Sequence, residues 1–217
     1  MQAPPTTLIG YLAEPAAEPA ARPDAARVLW RWARRAPDRL LHPKRRRDAA
    51  RRLSALPTPR TVMFVCHGNI CRSPFAGAAF SRAIAASRGP GGAVPIVVST
   101  AGFIGPGRGS PPEALAAASR FGIDLAPHRS RLVTAPDIRQ ADLVVVMSVD
   151  QARGINARVG AERKPVLVLG DLDPLAIDER TILDPWGKGA AAFEQSYARV
   201  ERCVAELARL IGEGLSG

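Results

Sequence analysis

Val65-Cys66-His67-Gly68-Asn69-Ile70-Cys71-Arg72-Ser73-Pro74 stands between two segments of opposite character. Before it, Thr61-Val-Met-Phe-Val65 is a short apolar, β-rich run of the kind that forms a buried parallel strand. After it, Phe75-Ala-Gly-Ala-Ala-Phe-Ser-Arg-Ala-Ile-Ala-Ala86 reads as a helix, with Pro74 in its first turn, where a missing N–H costs nothing. Gly68 and Asn69 tolerate positive φ, so the chain can turn sharply after Cys66. A tight loop between a strand and a helix N-terminus turns successive N–H groups inward and makes an anion site.

Cysteine and arginine six positions apart are weak evidence alone, because the spacing recurs at Cys203 and Arg209. That second pair lies in Tyr197–Ile211, a run without glycine or proline whose apolar residues recur at helical spacing. At about 100° per residue the two side chains point to different faces. Cys203 is therefore expected on a helix, in the core or on its surface, and Cys66 in a loop.

Further strands are expected at Val94 to Thr100, Leu143 to Met147 and Pro165 to Leu169, with helices near 74–88, 111–120, 134–141, 149–159 and 189–211. This alternation predicts an α/β domain over residues 61–217: a small doubly wound, four-stranded parallel sheet with helices on both faces. In such sheets ligands bind beyond the carboxyl ends of the strands, where the loop at 66–73 leaves the first one.

Residues 1–60 read as a separate extension rich in Pro, Ala and Arg. They hold 13 Lys and Arg against 5 Asp and Glu, a net of +8, whereas residues 61–217 hold 17 against 15, a net of +2. The basic character belongs to the extension, which argues against a nucleic-acid-binding core. Two helices are expected there. One is capped by Asp24, carries Ala25, Val28, Leu29 and Trp32 on one face, and ends at Pro37; the other runs from about Pro43 to Leu56. Residues 24–56 have three readings: peripheral contact with an anionic membrane, docking to an acidic partner, or amphipathic helices lying on the α/β domain. Trp30 and Trp32 need burial in any of them.

No run of about 18 apolar residues is present, so no transmembrane helix is expected, and Met1–Thr7 lacks the basic and apolar regions of a secretory leader. Three cysteines, two of them in one loop, make no disulfide framework; a cytoplasmic location fits.

The loop chemistry assigns roles. Cys66 is the candidate nucleophile, its thiolate favoured by inward N–H groups, the helix N-terminus and Arg72. His67, Gly68, Asn69, Ile70, Cys71, Arg72 and Ser73 form the phosphate cradle, in which the Arg72 fork grips two oxygens. Ser73 can hydrogen-bond the thiolate, and Asn69 can brace the loop against Thr100. Cys71 either forms a reversible disulfide with Cys66 or packs behind the loop. A phosphomonoester also needs its leaving oxygen protonated. Asp184, in Ile182-Leu-Asp-Pro-Trp-Gly187, is the candidate acid and later the base that activates water. His67 and Trp186 flank the entrance. No metal-ligand set or cofactor motif is evident.

With these residues in hand, the chain resembles the low-molecular-weight protein tyrosine phosphatases. The signature V-C-x-G-N-x-C-R-S-P matches Val65 to Pro74, and Asp-Pro-aromatic matches Asp184 to Trp186. Further matches are Ser99–Gly102, Gly122–Leu125 with His128–Leu132, and Ala141–Met147. The resemblance implies a phosphotyrosine protein phosphatase working through a cysteinyl-phosphate at Cys66, with Arg72 as phosphate clamp, Ser73 in support and Asp184 as general acid. It suggests a phosphotyrosine-containing protein as partner, among bacteria often a tyrosine kinase of polysaccharide export. The same fold also serves arsenate reductases and protein arginine phosphatases. The first need relay cysteines, and residues 125–140 contain none. The second carry threonine where Ile70 stands. A phosphate-reading module without catalysis is a third reading, disfavoured by intact Cys66, Arg72 and Asp184.

Overall fold

The computed structural model describes residues 25–87, 95–160, 162 and 164–213, with side chains from residue 36 onward. Four strands form one parallel sheet: β1 (Thr61–Cys66), β2 (Val97–Gly102), β3 (Leu143–Val146) and β4 (Val166–Val168). Their order is β2-β1-β3-β4, so β1 is central and the chain leaves it toward β2 on one side and returns to β3 on the other. The loop after β1 therefore lies at the switch point where doubly wound sheets bind ligands.

Strand alternation divides the core in two. Val62, Phe64, Leu143, Val145 and Met147 face helices α2 (Arg72–Ser87), α3 (Pro112–Ser119) and α6 (Ala190–Glu213). Met63, Val65, Val144 and Val146 face Ile138 of α4 (Ala135–Gln140) and Ile155 and Val159 of α5 (Val149–Val159). The α2–α6 contact is aromatic: Phe75 stacks on Tyr197 at 4.0 Å between ring centroids, with Phe193 edge-on to Tyr197. Gly77 lets α2 approach the sheet, since a Cβ there would come within 2.7 Å of the Thr100 methyl. The second strand starts at Val97, three residues later than expected; Val94 lies outside the described residues.

The extension differs from expectation. One helix, α1, runs from Ala25 to Ser54 through both Pro37 and Pro43. Each proline removes a helical hydrogen bond, at a cost of about 3 kcal/mol in a helix interior. Tertiary contacts hold the helix on both sides of Pro43: Arg39 pairs with Asp178, Arg46 with Glu206, and Ala49 and Leu53 enter the core. Residues 35–54 of α1 belong to the same compact unit as the α/β domain. For residues 36–54 the reading of a helix lying on the α/β domain is the one observed. The side chains of Trp30 and Trp32, and the cap at Asp24, lie outside the described residues. Among those residues no helix is long and apolar enough to cross a membrane.

Burial along α1 is uneven, with Leu53 9% exposed and Leu40 79% exposed. Leu53→Ala should therefore cost about 2–4 kcal/mol in urea unfolding of the full chain, and Leu40→Ala less than about 0.5 kcal/mol.

Candidate active site

The loop after β1 is built around Asn69, which is fully buried and holds φ at 51°. Its amide Nδ2 donates to Ser73 Oγ (2.9 Å) and Thr100 Oγ1 (3.0 Å), and its Oδ1 accepts from the Arg131 backbone N–H (2.9 Å). His128 Nε2 donates to the Asn69 carbonyl (2.6 Å). Apart from the bond to Ser73, these bonds leave the loop for β2 and for the segment 128–131, so the turn is fixed from outside. Gly102, at the end of β2, completes the fit: a Cβ there would lie 2.8 Å from Asn69 N.

This brace aims the chemistry. Because the Asn69 amide donates to the Ser73 oxygen, the hydroxyl proton of Ser73 is free to point at Cys66 Sγ, 3.1 Å away. Cys66, Arg72 and Ser73 are all buried. Arg72 Nη1 donates to the Ile182 carbonyl (3.1 Å), Nη2 pairs with Asp184 Oδ2, and Nε is buried with no protein partner. Asp184 Oδ1 also accepts a long bond from the Trp186 N–H (3.4 Å).

Cys66, His67, Gly68, Ile70, Cys71, Arg72, Asp184 and Trp186 line one pocket of about 70 Å³. The structure thus brings the expected nucleophile, clamp, acid and entrance residues to one place. Asn69, Ser73 and Thr100 stand behind it in the hydrogen-bond brace. Cys71 is a buried free thiol, as is Cys203 in α6, whereas the Arg209 side chain is half exposed on the other side of that helix. Burial pushes the Cys71 thiol up to about 12, with the neighbouring Cys66 adding to the effect. Burial likewise pushes Cys203 to about 12. Tyr197, raised by burial, donates from its hydroxyl to the Cys71 carbonyl (3.3 Å).

The model of the family described as low molecular weight phosphotyrosine protein phosphatase matches residues 61–216. The chain belongs to that family. The probable low molecular weight protein-tyrosine-phosphatase EpsP of Ralstonia solanacearum is 37% identical over 147 residues, covering 67% of this chain and 91% of that protein. The low molecular weight protein-tyrosine-phosphatase Etp of Escherichia coli strain K12 is 30% identical over 151 residues, covering 69% and 93%. Among solved structures, the YwlE arginine phosphatase of Geobacillus stearothermophilus superposes with a TM-score of 0.57 at 26% identity, covering 70% of this chain and 92% of that one.

Two pocket residues of this phosphatase escape sequence reasoning. Ile104 and Arg108 line the same pocket, with Arg108 donating from Nε to the Gly105 carbonyl (2.9 Å) and from Nη2 to that of Gly68 (3.1 Å). They come from the loop after β2, where Gly105 and Gly107 take positive φ. The glycine-rich run Gly105-Pro-Gly-Arg-Gly109 is the one signal that marks this turn in the sequence.

Thiol reactivity follows from these environments. Iodoacetamide at neutral pH should modify Cys66 and leave Cys71 and Cys203, which burial keeps protonated, unlabelled, as read by peptide mass spectrometry. Labelling of Cys71 should rise only as pH approaches about 12.

Proposed function

We propose that the protein hydrolyses phosphotyrosine in proteins through a cysteinyl-phosphate on Cys66. The observation that carries this reading is the convergence of Cys66, Arg72 and Asp184 on one small pocket, with the Ser73 hydroxyl donating to the sulfur. The phosphoryl group sits at the N-terminus of α2, where backbone N–H groups and Arg72 meet its oxygens. Bound phosphate competes with Asp184 for the Arg72 guanidinium and turns that carboxyl toward the leaving oxygen. The sulfur of Cys66 forms a bond to phosphorus as the P–O(aryl) bond breaks, and Asp184 delivers the proton to the phenolic oxygen. The Asp184 carboxylate then takes a proton from water, which attacks phosphorus. The sulfur leaves as a thiolate, held by the Ser73 hydroxyl.

Ile70, Ile104 and Trp186 give the pocket mouth apolar walls suited to an aromatic ring. A wider groove of about 430 Å³ shares His67, Arg72 and Asp184 with the pocket and includes Phe103, over which Arg158 lies at 4.6 Å. It gives room for chain flanking the phosphotyrosine. A bacterial tyrosine kinase of polysaccharide export is the substrate suggested by family resemblance.

Cys66→Ser should lower kcat for an aryl phosphate by more than about 10³-fold, and Asp184→Asn by about 10²-fold or more. Full turnover in the Cys66→Ser protein would overturn the proposal. Likeness to an arginine phosphatase motivates a second measurement. The wild-type chain should cleave phosphotyrosine peptides with higher kcat/KM than phosphoarginine peptides, and Ile70→Thr should narrow that preference.

A further inference from the structure

Helix α1 lies outside the span matched by the family, yet it touches the segment that carries Asp184. That segment leaves β4 through a 3-10 turn, Leu169–Leu172, and runs to Asp184. It folds back on itself at Arg180. The Arg180 guanidinium grips Asp171 with two bonds (2.6 and 2.7 Å), and its carbonyl passes so close to Gly170 that a Cβ there would sit 2.1 Å from the oxygen. The Asp173 carboxylate, fully buried, takes Arg199 and Arg202 from α6. Helix α1 holds the segment as well. Asp38 accepts the Arg180 backbone N–H (3.0 Å), Arg39 pairs with Asp178 (2.6 Å), and His42 donates from Nε2 to the Asp173 carbonyl (2.9 Å).

Residues 38 and 42 are one helical turn apart and so act from one face. His42 is 5% exposed, a costly burial for an imidazole, and its Nε2 bond goes to this segment. Downstream, the same segment fixes the backbone around Asp184: the Ile182 N–H donates to the Met147 carbonyl (3.0 Å), and Ser196 Oγ donates to the Leu183 carbonyl (2.9 Å). The Asp184 side chain is itself 42% exposed and has little packing of its own to hold it. Apart from its pair with Arg72 and the long bond from Trp186, its position is inherited from the backbone behind it.

We propose that α1 is a positioning strap for the acid-bearing segment, and that Asp38 and His42 are positioning residues acting through Arg180 and Asp173 on Asp184. The inference rests on Asp184 being the general acid. Loosening the strap blurs the aim of the carboxyl and leaves Cys66 in place; it reaches Arg72 only through the Ile182 carbonyl and Asp184, so it impairs proton delivery more than phosphate binding.

Leaving-group dependence tests this in the full chain. Phenyl phosphate needs its oxygen protonated, whereas dinitrophenyl phosphate leaves largely unaided. Asp38→Ala and His42→Ala should lower kcat/KM for phenyl phosphate about 10-fold and leave that for dinitrophenyl phosphate within about 2-fold. His42→Gln, whose amide can donate to the same carbonyl, should recover most of the loss. If an alanine variant does not fold, Arg39→Ala at the exposed ion pair should still show about a 3-fold difference between the two substrates. Equal losses on both substrates, or no loss in folded variants, would overturn the proposal. Asp184→Asn separates the two levels. If it spares phenyl phosphate, the acid assignment falls and the inference with it. If it discriminates and the α1 variants do not, the inference alone falls.

Discussion

A single buried amide organises the chemistry of this chain. Asn69 sits in left-handed backbone at the turn after β1, and its side chain spends both donors and its acceptor on Ser73, Thr100 and the Arg131 N–H. A buried amide left half-satisfied would cost about 1–3 kcal/mol; satisfied this fully, it locks the loop to β2 and to the segment after α3. The Ser73 proton is thereby released toward Cys66. Remove the amide and Cys66 loses its hydrogen-bond donor's orientation before it loses any contact of its own.

The α/β pattern was legible because each element carried a local reason. The β-rich run before Cys66, the Gly68-Asn69 turn and Pro74 could each be read from residue chemistry, and all three agree with the structure. The two helices drawn in the extension were wrong for the opposite reason. A proline's local penalty was legible, but the contacts of Arg39, His42, Arg46 and Leu53 that outweigh it come from residues more than a hundred positions away or from the shared core.

The site divides along the same line. Cys66 to Ser73 are contiguous, so their spacing is legible in the sequence, and Asp184 is legible because phosphomonoester chemistry needs an acid and Asp-Pro-Trp supplies one. Arg108 had no such handle. It reaches the pocket because Ser130 ties down its loop, accepting the Arg108 N–H at its hydroxyl (2.9 Å) and donating its own N–H to the Arg108 carbonyl (2.8 Å). Nothing periodic in residues 104–109 announces that pairing.

Helix α6 holds both halves of the proposed site with neighbouring residues. Tyr197 reaches the carbonyl of Cys71 in the loop of Cys66, and Ser196 reaches that of Leu183 beside Asp184. One rigid rod, rising 1.5 Å per residue, thus serves as a common gauge for the gap between sulfur and carboxyl. A one-residue slip of the rod would turn both pegs by about 100° and uncouple the two ends of the reaction together.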